Sequence, residues 1–411
     1  MNIRGFALLL VLPACFAQTE RRISQDELKD KIHGYWIGQL VGNYMGFPFE
    51  NKYEETAIPI LIDKYYHYHD AKAKNLRMNT NDRRAYTDIM ADALGGAWSD
   101  DDTDIELVTL HAVEKCGLDL DYSEITEMWK AHVNRFVWSA ASKTRELMGE
   151  GLLPPQTGSK EHNEYWYRIS SQLMTEIWGT FYPGMTDAAA ERCEWNAKII
   201  TDDWATHPDI VYGVLYSAAF FEKDTTKLLE IAAAKLPETS PFREGMEKIK
   251  QWKSEGKSWR KVRRLLHRAY FKNVNDFEVP YPTSGSIING LCSILAISYG
   301  EGDFVKTIAI ATSAGYDCDN QAATCGGLMG IIHGAQAIPG SLTKELPSRR
   351  EWDTPFNNTY INYSRDGLPN HYRISDIVDR ILAVSERAIL NNEGSKTEQN
   401  GEWIYTIQTD F

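Results

Sequence analysis

Glycines at positions 34, 38, 42 and 46 recur four apart within the stretch from Glu27 to Glu50. Residues four apart share one face of a helix, and a face without side chains lets a second backbone come very close. Small residues at this spacing also pair helices in membranes, but Gln39 and Asn43 in the same stretch point to packing inside a soluble helical bundle. The helix should stop at Phe47-Pro48-Phe49-Glu50, because the residue before a proline avoids helical angles. A second run of small residues, from Ala322 to Gly334, is suited to receive the glycine face.

Further helical spacing predicts helices over Gly285–Ser298, Phe304–Thr312 and Ser375–Leu390, the last with Ser375 as its N-cap. A short helix is expected near Ile58–Tyr68, inside a polar and aromatic excursion from Asn51 to Asp82, and a short strand over Glu402–Ile407. Alternating strand patterns are otherwise few, so the fold is predominantly helical, and no linker or repeat divides it. With 411 residues, 43% of them hydrophobic, the chain can bury a large core.

A net charge of -13 disfavours nucleic acid as a general partner. The basic stretch from Glu244 to Arg268 carries no base-reading motif and reads as a solvated amphipathic helix. Residues 1–17 place Arg4 before an apolar run and end in Pro13-Ala14-Cys15-Phe16-Ala17, the layout of a secretory signal peptide. Export follows, leaving 18–411 as the mature domain, either cleaved after Ala17 or lipid-anchored at Cys15, where Leu12-Pro13-Ala14-Cys15 loosely resembles a lipobox. No second run approaches the ~18 apolar residues of a membrane span. Cys116, Cys193, Cys292, Cys318 and Cys325 are irregularly spaced and suggest neither a disulfide framework nor a zinc site.

The chemistry is expected where acids crowd helix starts. Asp317, Asp319 and Asn320 lie within four positions just after Gly315, and Asp100, Asp101, Asp102, Asp104 and Glu106 fill five of seven positions before another apolar helix. One acid is enough to cap a helix and oppose its dipole, whereas several repel one another, a conflict that a bound cation resolves. Glu50 can be delivered beside them by the glycine helix. With Thr103 and Asn320 adding neutral oxygens, the set suits Mg²⁺, Mn²⁺ or Ca²⁺, and four or five carboxylates exceed the needs of one ion, so two ions are inferred. His207, before Pro208, can meet a substrate phosphate or cap the following helix. Trp129, Trp138, Trp166, Trp178, Trp195 and Trp204 read as core.

Three stretches then resemble, in order, motifs of the ADP-ribosylglycohydrolase family: the glycine helix ending in Gly46-Phe47-Pro48-Phe49-Glu50, Asp101-Asp102-Thr103, and Gly315-Tyr316-Asp317-Cys318-Asp319-Asn320. The resemblance spans roughly residues 28 to 340. It implies an all-α fold, a single large orthogonal helical bundle with loop insertions, holding two Mg²⁺ or Mn²⁺ ions. It further implies hydrolysis of an ADP-ribosyl bond, with a small-molecule or protein-linked ADP-ribose as substrate. By position it makes Asp101, Asp102, Asp317 and Asp319 metal ligands, with Asp100 and Asn320 replacing threonines at the metals. Asp102 and Glu50 would act in catalysis, and Asn43, where the family often has an aspartate, and Cys318 would face the substrate together with His207. Other readings are a catalytically silent ADP-ribose-binding or structural relative, and a glycohydrolase for another extracellular nucleoside or sugar conjugate.

Overall fold

A computed structural model describes residues 19–66, 68–80, 83–346 and 351–411. The expected signal peptide and Cys15 lie outside the described residues. Among the described residues seventeen α-helices dominate, with only small sheets beside them.

The glycine stretch forms α1 (Gln25–Gly46), started by the Ser24 side chain accepting from the Glu27 amide. It runs against α6 (Cys318–His333), and the two meet at backbone distance. A Cβ added at Gly34, Gly38 or Gly42 would lie 2.1, 2.0 or 1.9 Å from the carbonyl oxygens of Gly330, Gly326 and Ala322, and one at Gly46 would lie 2.2 Å from the Asp319 Cα. Falling numbers on α6 meet rising numbers on α1, so the helices are antiparallel. The end of α1 is thereby pressed against the start of α6, which places Glu50, three residues beyond the short 3₁₀ turn's first residue, beside Asp317 and Asp319.

Four more helices matter for the site: α2 (Asp101–Cys116), α3 (Trp259–Tyr270), α4 (Ser286–Gly300) and α5 (Phe304–Ala314). The tail helix α7 (Ile374–Asn391) starts one residue before the expected one, and its N-cap is Arg373, not Ser375. The expected tail strand is real and longer, Glu402–Thr409, and pairs on one side with Thr19–Ser24 and on the other with Ser395–Gln399, tying both ends of the described chain together. Buried hydrophobic residues from Ile23 to Ile407 form one contiguous core.

The expected helix near Ile58–Tyr68 is absent, and a short one follows at Tyr68–Ala73. Two residues of this segment instead spend their amides on α5: Ile58 N donates to Ser313 O and Ile62 N to Ser313 Oγ, both at 2.9 Å. Pro59 between them has no amide to give to a helix. The basic helix α3 is also more than a solvated surface. Arg263 on it is fully buried.

Candidate metal centre

Two helices begin at one place. Asp100 is the N-cap of α2 and its carbonyl accepts from the Asp104 amide at 2.9 Å, while Asp317 is the N-cap of α6. Helix starts carry free N–H groups and a partial positive charge, which favours a few acids there. More acids converge than those ends can neutralise. Ligand oxygens of Glu50, Asp317 and Asp319 lie within 4.8 Å of one another, and so do those of Asp100, Asp102 and Asp319. The result is two three-carboxylate nests sharing Asp319.

The surroundings orient some of these acids and leave others wanting a partner. Asp102 accepts from the side-chain amides of Asn43 (2.5 Å) and Asn320 (2.9 Å), one on each oxygen. Glu50 accepts from Arg84 at 2.5 Å and from the Asn51 side chain at 3.1 Å. By contrast, Asp319 Oδ1 and Asn320 Oδ1 are buried without a hydrogen-bond partner. A buried carboxylate oxygen that meets no donor, ringed by other carboxylates, is destabilised unless a cation or proton reaches it. Burial first and neighbouring acids second push Asp101, Asp102 and Asp319 well above the usual carboxylate range. Burial also raises Asp317, and burial with the Asp317 charge raises Glu50 to about 7 despite the Arg84 guanidinium. Hard oxygens at this density fit a hard divalent cation.

The expected sites sort into three groups. Glu50, Asp100, Asp101, Asp102, Asp317 and Asp319 all line one cavity of about 810 Å³, within the range of small-molecule sites. Asn43 and Asn320 stand behind it and act on Asp102. His207 and Cys318 are elsewhere. His207 occupies the first position of its helix, whose N-cap is Thr206, and its Nδ1 lies 2.8 Å from Ser240 Oγ, so it neither caps that helix nor borders the cavity. The Cys318 thiol is buried and donates to the Gly46 carbonyl at 3.5 Å, inside the α1–α6 contact.

The acidic run of 100–106 does not act as one unit either. Asp104 turns inward to a fully buried ion pair with Arg365 (2.6 Å) and also accepts from Ser364. Arg365 in turn donates to the carbonyls of Arg135 and Phe136, both at 2.9 Å. Glu106 lies deeper, beside Glu176. Only the first three acids face the cavity, so density along the chain overstated the charge a cation has to balance.

Sequence reasoning missed part of the wall. Trp138, read as core, is 60% exposed and lines the cavity together with Tyr281 and Arg168. The Arg168 guanidinium lies 4.5 Å from the Tyr281 ring centre and 5.1 Å from that of Tyr165, and it donates to Ser139 Oγ. A second cavity of about 460 Å³ adjoins at Ser139, Arg168 and Tyr281. Arg84 was missed as well, because its partner Glu50 is 34 positions away.

The sequence model of a family described as ADP-ribosylglycohydrolase matches residues 24–367. Among solved structures, one described as an ADP-ribosylglycohydrolase-related protein complex is similar with a TM-score of 0.51 and 14% identity, over 88% of this chain and 99% of that one. At that identity the likeness speaks for the fold alone. No curated protein matches.

Proposed function

Because the chain belongs to the ADP-ribosylglycohydrolase family, we propose that it is a metal-dependent hydrolase of an ADP-ribosyl, or closely related ribosyl, glycosidic bond, using two Mg²⁺ or Mn²⁺ ions. The observation that carries this reading is the pair of three-carboxylate nests joined at Asp319, whose Oδ1 has no donor. Asp100, Asp102 and Asp319 would hold one ion, and Glu50, Asp317 and Asp319 the other, with Asp101 and Asn320 Oδ1 alongside. When bound, such ions polarise sugar oxygens and lower the pKa of water.

The chain's own groups divide the remaining work. Asn43 and Asn320 fix the Asp102 carboxylate from both sides, so its orientation is set before any ligand arrives. Glu50, steadied by Arg84, would pass a proton from the attacking water to the leaving group through the oxygen not given to the ion, as the glycosidic bond breaks. The surrounding carboxylates favour the positive charge that develops on the sugar in an oxocarbenium-like state. In the same cavity Arg168 offers an anchor for a phosphate-bearing substrate, and Trp138 and Tyr281 offer flat surfaces. Export, with or without a lipid at Cys15, belongs to the same proposal and is read from the mass of the mature N-terminus.

The test is product analysis on ADP-ribosylated arginine, ADP-ribosylated serine and free nucleosides with Mg²⁺ or Mn²⁺, comparing the native protein with Asp102→Ala and Glu50→Gln. Release of ADP-ribose that both substitutions abolish is expected. Turnover of nucleosides alone would move the substrate to another glycoside. Metal binding without turnover of any of them would favour a silent relative.

A further inference from the structure

Two acids of the centre, Glu50 and Asp317, sit on loops that are joined backbone to backbone. Asn51 N donates to Tyr316 O at 2.7 Å, and Tyr316 N donates to Tyr53 O at 2.9 Å. The second loop is tightly bent at this seam, with φ of +83° at Gly315 and +61° at Tyr316, and a Cβ at Gly315 would lie 2.1 Å from Tyr53 O. A tyrosine in the left-handed region persists only where its surroundings hold it.

What holds it comes from α3. Arg263, fully buried, donates through Nε to Ala314 O (3.0 Å), through Nη1 to Glu55 O (3.0 Å), and through Nη2 to the carbonyls of Tyr53 and Glu54. Its guanidinium carbon lies 4.2 Å from the Tyr316 ring centre. One turn later His267 Nδ1 lies 2.7 Å from Tyr316 Oη, and Nε2 lies 3.2 Å from a Glu55 carboxylate oxygen. Both side chains therefore touch both loops. A buried guanidinium spent on carbonyls of two separate segments is a geometric device: its planar fork fixes directions that a lysine ammonium does not.

We propose that Arg263, assisted by His267, is a positioning residue that clamps the Glu50 loop to the Asp317 loop and thereby sets the spacing of the metal ligands. This rests on the reading of the carboxylates as a metal centre. Outer partners of metal ligands commonly change affinity ~10- to 100-fold when removed, and the clamp acts at one remove further, through the backbone.

The test compares the native protein with Arg263→Met, Arg263→Lys and the exposed Arg264→Ala on the same helix, by Mn²⁺ calorimetry and by amide hydrogen exchange of metal-free protein. Expected are a loss of Mn²⁺ affinity of ~10-fold or more in both Arg263 variants, faster exchange confined to residues 50–56 and 314–317, and native behaviour in Arg264→Ala. Retention of affinity in Arg263→Lys would show that charge alone matters and overturn the clamp. So would unchanged exchange at the two loops. A protein that unfolds on substitution of Arg263 is replaced by His267→Gln, for which the same localised exchange is expected and its absence counts against the proposal. If native protein binds no Mn²⁺, the metal reading fails, while the exchange at the two loops still decides the clamp.

Discussion

Two clusters of acids share helix α2 and behave in opposite ways. At the cavity, Glu50, Asp100, Asp102, Asp317 and Asp319 crowd together, and at least one carboxylate oxygen, Asp319 Oδ1, meets no donor. Deeper, on the same helix as Asp102, Glu106 pairs with Glu176, and every oxygen is met: Glu106 by Tyr35 Oη (2.5 Å) and Ile177 N (2.8 Å), Glu176 by Thr324 Oγ1 (2.6 Å) and Thr175 N (3.2 Å). Burial raises both acids of the deeper pair, Glu176 to about 7, and the Glu176 charge adds to the rise at Glu106. What separates the candidate cation site from the deeper acid pair is donor supply. Acid density alone does not distinguish them.

The contrast breaks most sharply at the shared ligand. Asp319→Ala should lower Mn²⁺ affinity by more than ~100-fold, beyond the loss typical of outer partners, whereas Glu176→Gln should leave it within about threefold; calorimetry on both decides. If the two variants lose affinity alike, the separation of the clusters is wrong. Ligand binding gives the next effect. Mn²⁺ at about 100 times its Kd should stabilise the native protein and Glu176→Gln by ~2.7 kcal/mol for each ion bound, and Asp319→Ala by less than ~0.5 kcal/mol, as followed by denaturant unfolding.

Asn43→Ala should weaken Mn²⁺ binding by about tenfold, because Asp102 keeps its charge and its Asn320 contact but loses one of two orienting amides. A change confined to turnover, with affinity intact, would instead make Asn43 a substrate contact. The smallest effect concerns pH. The folded pKa of Glu176 is raised, so folding takes up a proton between the ordinary value of 4.5 and about 7. The protonated acid's contribution to stability is thus complete below about 4.5 and disappears as pH rises through about 7. Glu176→Gln mimics the protonated acid, so metal-free variant and native protein should match near pH 4, with the variant more stable by ~1 kcal/mol or more at pH 8. Parallel stability curves over pH 4–8 would show that the pair does not hold a proton.

Much of the centre was legible because its residues are near neighbours in the chain. The spacing of Gly34 to Gly46 and the acids at 101–102 and 317–319 carry their geometry locally, through helix periodicity and helix starts. What escaped depends on distant partners. Asp104 looks like its neighbours until Arg365, 261 positions on, neutralises it. Trp138 has the composition of a core residue, and only the packing of its neighbours leaves it exposed beside the cavity. Arg263 sits in a basic helix that reads as surface, and its burial follows from loops more than 50 and 200 positions away.

The glycine contact between α1 and α6 raises a question of register. Its steps repeat every four residues, so sliding α6 by one turn would bring small residues opposite small residues again along most of the shaft: Gly38 against Gly330, Gly42 against Gly326, Gly46 against Ala322. The shaft alone therefore admits a neighbouring alignment ~5.4 Å away. The ends discriminate. In the native alignment Lys31 Nζ reaches Ile331 O at 3.0 Å, Asn43 and Asn320 meet on one carboxylate, and the seam at Tyr316 closes on Asn51 and Tyr53. The polar groups gathered at the site thus also act as the detent that stops a smooth rail in one position.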